Sequence, residues 1–277
     1  MKRHFIFLAL SCLLVAACGK APSSTSVDQP ASSAKETASP KPLVIGMELN
    51  YPPFETVDSE GKPSGVSTGM ANALGKELGR PVEIKDMSFD GLIPALKTGK
   101  IELIISSMTA TEERAKTIDF SDSYVTTGLC LLVRKDSKIQ NIDDLKADPN
   151  LMVVVARGTT GNVWATKNLT TKQIRVQDTE GNSVLEVIQD KADAFIYDQM
   201  SVYKNWQHHP DKTRAILVPF ETEHWAIGIA KGNDELKGQV NAFLKKFREA
   251  GGFEKLGDEY LADQKKAFKE LGYPFYF

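Results

Sequence analysis

Cysteine is scarce in this chain: three residues in 277, Cys12, Cys18 and Cys130. The first two fall in the N-terminal segment treated below, and the third stands alone. The mature chain therefore has no internal disulfide to staple it. Cys130 lies within Leu129-Cys130-Leu131-Leu132-Val133 and reads as a small buried hydrophobe. Histidine is nearly as sparse, with four residues, and His208, His209 and His224 of the body show no metal-ligand spacing, so neither metal nor cofactor is expected. Net positive charge is missing as well. The formal charge is −2, and −4 once Lys2 and Arg3 are removed, which excludes the basic face that nucleic acid requires. No apolar run beyond the N-terminus approaches the roughly 20 residues needed to span a bilayer.

The N-terminus has what the rest lacks. Lys2, Arg3 and His4 precede an apolar run of about 13 residues, from Phe5 to Ala17. A basic start, a short apolar stretch and small residues before a cut describe a secretory signal, here residues 1–17. Val15-Ala16-Ala17-Cys18 resembles the bacterial lipobox, whose cysteine is lipidated and becomes the new N-terminus. Residues 18–42 then form a Ser-, Ala-, Thr- and Pro-rich tether with too little apolar surface to fold. The expected address is the cell envelope: a membrane-anchored lipoprotein facing the periplasm or the cell exterior. Gly19 lacks the aspartate associated with inner-membrane retention in enteric bacteria, so the host decides which membrane holds it.

The body, Leu43 to Phe277, has ordinary globular composition, 42% hydrophobic and 25% charged over the whole chain. Leu43–Met47 is a short apolar run that reads as a buried strand. Met70–Leu78 has helical spacing with Gly79 beyond it, and Val82–Ile84 follows as a strand. Asp90 is placed to cap a helix holding Leu92, Ile93 and Leu96, which Gly99 stops. Strands and helices keep alternating: Ile101–Ile105, Leu151–Val155, Thr160–Asn168, Ile174–Val176, Ser183–Gln189, Ala192–Ile196 and Ser201–Trp206. Ile216–Val218 and Ile227–Ala230 read as two further strands, and helices are expected over Asp234–Ala250 and Phe253–Leu261. This order predicts an α/β fold with mainly parallel sheets, in which ligands sit at the carboxyl ends of strands.

Four strand-end segments are distinctive. Glu48-Leu49-Asn50-Tyr51-Pro52-Pro53-Phe54 follows the first strand. Ser106-Ser107-Met108-Thr109 runs on to Arg114 and then to Asp119-Phe120-Ser121-Asp122-Ser123-Tyr124. Arg157-Gly158-Thr159-Thr160-Gly161 and Ala192-Asp193-Ala194-Phe195-Ile196-Tyr197-Asp198 are the others. Gly91-Leu92-Ile93-Pro94-Ala95-Leu96 and Ile227-Gly228-Ile229-Ala230-Lys231-Gly232 add to the set. In this order the segments resemble the polar amino-acid-binding proteins of bacterial ABC importers (solute-binding protein family 3), from Leu43 to about Tyr260.

The resemblance implies a two-lobed periplasmic-binding-protein clamshell of type II. The chain would cross between lobes near Val125–Gly128 and Glu223–Ala226. Residues 43–127 plus 227–277 would form one lobe and 128–226 the other, with hinge closure over the ligand. It implies a monomeric protein that takes an amino acid and hands it to a membrane permease and ATPase. A zwitterion needs two clamps. Arg114 suits the carboxylate as a fixed two-pronged donor, helped by Thr109 and by Thr160 at a helix start. Asp198 suits the ammonium, with Ser107. Tyr51 and Phe89 would sandwich the ligand's side chain, and Ser106 and Thr159 complete the set. Glu48 stands where the family often has an acid reaching the distal end of the ligand, which points to a basic or amide side chain. Phe54 reads as core, and Glu112 and Glu113 as an exposed first helical turn.

Two features depart from the family. Gly-Phe-Asp-Val-Asp is replaced by Gly65-Val66-Ser67-Thr68-Gly69, with Thr68 as the expected helix cap. Residues 262–277 run past the family's usual end, and Tyr273-Pro274-Phe275-Tyr276-Phe277 is apolar enough to lie on the body. Two other classes share the fold: exported lyases resembling cyclohexadienyl dehydratases, and adhesins or sensors. For the lyase the candidate acids and bases are Glu221, Glu223 and His224, the two glutamates being read as part of a polar connection.

Overall fold

The computed structural model describes residues 40–276. The signal segment, Cys18, most of the tether and Phe277 lie outside the described residues.

The first strand, β1 (Leu43–Met47), falls where the apolar run predicts, and four of its five residues are buried. It pairs in parallel with β4 (Val82–Asp86) and β5 (Leu103–Ile104). A small hairpin, β2 (Thr56–Val57) with β3 (Pro63–Ser64), leads into α1 (Val66–Glu77). That helix starts earlier than expected. Its cap is Gly65 at φ 105°, where a Cβ would meet the Phe54 carbonyl at 2.5 Å, so the turn requires glycine. Thr68 is not the cap: its hydroxyl donates to the Ser64 carbonyl at 3.2 Å, one turn into the helix. Nor does Asp90 cap α2 (Leu92–Lys97); a 3₁₀ turn over Phe89–Gly91 precedes it and Gly91 is the cap.

After α3 (Glu112–Ala115), whose Glu112 and Glu113 are exposed as expected, comes a 16-residue strand, β6 (Asp119–Arg134). Then follow α4 (Ile142–Ala147), β7 (Val153–Ala156), α5 (Thr160–Asn168), β8 (Ile174–Gln177), α6 (Glu180–Ile188), β9 (Ala194–Asp198) and α7 (Gln199–His208). The segments read as separate strands at Ile216 and Ile227 are one strand, β10 (Thr213–Ile229). It runs antiparallel to β6 from Thr213↔Arg134 to Ile229↔Asp119, with register shifts between Ile216 and Glu221 and near Ala226. Both expected crossovers are thus the middles of two long paired strands. The chain ends with α8 (Asp234–Glu249), α9 (Gly252–Tyr260) and α10 (Ala262–Leu271).

The sheet order is β4-β1-β5-β10-β6-β9-β7-β8. The outer pairs are parallel, but β10 is antiparallel to β5 and β6, as is β6 to β9. The sheet is therefore mixed rather than simply parallel, because β6 and β10 pass through both lobes. In the lobe of β1, Leu43, Ile45 and Met47 join the α1, α8 and α9 apolar faces, while Leu92, Leu96 and Ile104 close the other side. In the lobe of β7 and β9, one side holds Val153, Val155 and Ile196 and the other holds Val154, Phe195 and Val202. Strands buried on both faces explain why these runs read as continuously apolar. Cys130 is fully buried, and burial pushes its thiol far above the ordinary range.

Candidate functional site

Strand ends from both lobes line one cavity, and all ten residues nominated from the sequence border it. On the β1 side, Ser106 accepts the Glu48 backbone N–H at 3.0 Å, tying the ends of β1 and β5 together. The Glu48 carboxylate faces the Phe89 backbone. Burial, with Glu180, Asp86 and Asp90 nearby, raises it to about 7. Ser107 sits at φ 46°, a left-handed conformation costly for serine. The strain aims its hydroxyl at Glu55, to whose two oxygens it donates at 2.9 and 3.2 Å. Ser67 donates to the same carboxylate. Glu55 is wholly buried and rises to about 8. The position where the family has an acid at 67 thus holds a hydroxyl, and the neighbouring carboxylate comes from Glu55.

Arg114 is the one cation among the residues lining the cavity. Its guanidinium donates to the Thr109 carbonyl at 2.7 Å and to the Gly158 carbonyl of the opposite lobe at 3.0 Å. It also stands over the Phe89 ring, 5.4 Å from the centroid. Burial lowers it to about 10, so it stays charged at neutral pH. Facing it, Thr159 caps α5, accepting from Asn162 N–H at 3.2 Å and donating to the Ala156 carbonyl at 2.7 Å. That hydroxyl is engaged in holding the turn. Thr160 and Gly161, the first helical residues, carry N–H groups with no partner inside the helix. A Cβ at Gly161 would meet the Ile196 carbonyl at 2.7 Å, so glycine lets α5 approach β9 this closely.

Asp198 closes the far side. It accepts from Met200 and Ser201 N–H groups at 3.0 and 3.1 Å, capping α7, and still lines the cavity. Burial raises it to about 6. Tyr51 lies flat against Phe54, ring centroids 5.6 Å apart, and meets Tyr197 and Trp225 edge-on. Its hydroxyl, buried and without a well-aligned hydrogen bond, faces Asp198. Phe54 itself is fully buried core. No group of metal-ligating side chains occurs among the described residues.

The family model for bacterial extracellular solute-binding proteins, family 3, matches residues 43–263. The chain belongs to that family. Among relatives of this solute-binding protein, the L-arginine-binding protein of Pseudomonas aeruginosa is 30% identical over 235 residues, 81% of this chain and 90% of that one. A solved ancestral arginine-binding protein bound to arginine superposes with a TM-score of 0.74 at 31% identity, covering 80% of this chain and 99% of that one. An ancestral amino-acid-binding protein described as a precursor of cyclohexadienyl dehydratase gives 0.72 at 36% identity, covering 79% and 94%. Among the described residues no helix is long and apolar enough to cross a membrane.

Six residues lining the cavity are absent from the ligand-binding set read from the sequence: Glu55, Leu129, Gly161, Tyr197, Trp225 and Glu223, the last named there only as a candidate acid or base for the lyase. Strand alternation was an available signal for Glu223. It lies two residues before Trp225 in β10 and so shares its face. The reading of Glu223 as part of a polar connection is corrected: it is 4% exposed, within a strand, and burial lifts it to about 7.

Proposed function

We propose that this protein captures an amino acid with a basic or amide-bearing side chain between its two lobes and delivers it to an ABC permease. Residues 43–127 with 227–277 form one lobe and 128–226 the other. The observation that carries this reading is the charge arrangement of the cavity. One guanidinium, Arg114, is set against helix-start N–H groups at Thr160 and Gly161, while Glu48, Glu55, Asp198 and Glu223 line the rest. A ligand carboxylate fits the first group and its ammonium fits Asp198. A cationic or amide tip fits Glu48, with Tyr51 and Phe89 flanking the side chain. The surplus of acid favours a ligand of net positive charge, because burying a cation without a partner is costly. The names of the arginine-binding relatives point the same way.

Lipid on Cys18 would hold the protein at the membrane, and the tether would keep it near the permease, raising its effective concentration. Isothermal titration against a panel of amino acids tests the ligand, with arginine, lysine, histidine and glutamine expected tightest. Tightest binding of an aliphatic or acidic amino acid overturns the role of Glu48. Arg114→Ala is expected to abolish binding while the fold persists, and undiminished affinity rejects the carboxylate clamp. The lyase reading gains one observation, the buried carboxyl of Glu223 in the cavity, raised to about 7 where a general acid works. Incubation with prephenate decides it: turnover makes the protein an enzyme, and its absence leaves the binder.

A further inference from the structure

Glu223 enters the cavity from a backbone that cannot easily move. The His224 carbonyl accepts from Ala110 N–H at 2.9 Å, and Ala226 N–H donates to the Met108 carbonyl at 3.0 Å. Residue 223 is paired with Thr127 across the β6–β10 ladder, and Thr109 is bridged to Trp225. This fixes the carboxylate against the Thr109 and Thr160 side chains, with Arg114 as its stabilising cation. Those are the groups that the amino-acid reading assigns to the ligand's α-carboxylate. The site therefore carries a carboxylate of its own at its anion clamp.

An acid there changes what the clamp prefers. Two negative groups crowded onto one guanidinium repel each other, and Arg114 already spends N–H groups on the Thr109 and Gly158 carbonyls. A primary carboxamide presents one acceptor oxygen and an NH2 group with two N–H donors where a carboxylate presents two acceptor oxygens. Arg114 and the Thr160 N–H offer donors, and Glu223 offers an acceptor. We propose that Glu223 is a specificity-determining residue, a resident counter-carboxylate to Arg114 that lets the site accept α-carboxamides of basic amino acids alongside the free acids. The inference rests on the amino-acid reading of the cavity given above.

The test is titration of arginine and argininamide into the full mature protein, Glu223→Gln and Glu223→Asp, at one fixed pH just above neutrality. The readout is the affinity ratio of free acid to amide. Comparing that ratio between proteins cancels the ionisation of the ligand's own α-amine. The wild type is expected to bind the amide within about tenfold of arginine, since one nearby charge is worth at least that in such a site. Glu223→Gln is expected to shift the ratio about tenfold or more towards the free acid. Glu223→Asp, which keeps the charge, is expected to stay near the wild-type ratio and covers a glutamine variant that folds poorly. A ratio unchanged in Glu223→Gln, or wild type that binds arginine and rejects the amide, overturns the proposal. Wild type that binds neither overturns the amino-acid reading and this proposal with it.

Discussion

Asp198 and Glu55 are both buried carboxylates on the same cavity, one from the β9 side and one from the β1 side, yet their acidities differ by about two pH units. Asp198 accepts two backbone N–H groups at the start of α7 and stands at about 6. Glu55 accepts only the hydroxyls of Ser67 and Ser107 and stands at about 8. Burial raises both, and part of the gap is the lower ordinary value of an aspartate, 3.8 against 4.5. Beyond that, the Tyr51 hydroxyl, the Ser201 N–H and Lys204 hold Asp198 down, while the nearby anions Glu48 and Asp198 push Glu55 up. Helix-start amides carry partial positive charge directed at the acid, and a serine hydroxyl is a weaker and reorientable dipole. At neutral pH Asp198 is the standing anion of the site. Glu55 is held mostly neutral.

The largest expected effect breaks that pair apart. Asp198→Asn can still cap α7 through its amide oxygen but loses the charge. Affinity for any amino acid is expected to fall by about 100-fold, the worth of one or two charge-assisted hydrogen bonds. Glu55→Gln removes a group already neutral at pH 7, and a loss of less than about tenfold is expected by the same titration. Equal losses in the two variants would show that the charge difference does not govern binding. Next in size is Glu48→Gln, which is expected to reduce affinity for arginine or lysine by about tenfold and to leave glutamine nearly unchanged. Loss of both alike would place Glu48 away from the ligand's tip.

Much of this is legible in the sequence. The bounds of β1 and α5 follow from an apolar run and from the Gly158–Gly161 turn that leads into a helix start at Thr160, both local signals. The ten nominated residues come from strand ends, where an α/β sheet gathers its polar groups, and they border one cavity. The unity of β10 was not legible. Pro219, Glu221 and Glu223 look like a loop, and only pairing with β6 across the irregular register keeps them in a strand. Glu55 was missed for a related reason. Its neighbours in sequence, Phe54 and Thr56, say nothing of Ser67 and Ser107, 12 and 52 positions away. The cap of α1 fell to Gly65 rather than Thr68 because the preceding hairpin passes too close to Phe54 for a side chain.

The contrast also has a pH signature. Glu48, Glu55, Asp198 and Glu223 stand at about 7, 8, 6 and 7, each above its unfolded value. A group raised in the folded state contributes stability that is fully present below its unfolded value and is lost as pH rises through the folded one. The ligand-free protein is therefore expected to melt at progressively lower temperature between about pH 5 and 8. A bound cation favours the ionised acids, so saturation with arginine should flatten or reverse that slope. A melting temperature of the free protein that climbs with pH over this range would contradict the raised acidities.

The smallest effect on binding is expected where the two sides are braced together. The C-terminal residues beyond the family's end lie on the body: Phe268 is fully buried, and α10 places it 5.3 Å from the Tyr203 ring of α7. Tyr276 stacks on Trp225 at 6.4 Å, meets Phe54 edge-on, and directs its hydroxyl to the Gln199 side-chain oxygen of α7 at 3.5 Å. It thus touches the β1 side through Phe54, the long crossing strand through Trp225 and the β9 side through Gln199. Tyr276 is not among the residues lining the cavity, so Tyr276→Ala removes a brace and no cavity-lining side chain. The loss should appear as stability, about 3 kcal/mol for a buried aromatic cut to alanine, with affinity changed only two- to threefold or so. Denaturant unfolding and titration on the same preparation separate the two. An affinity loss as large as that of Asp198→Asn would mean that closure of the lobes, rather than the charges lining them, sets the strength of binding.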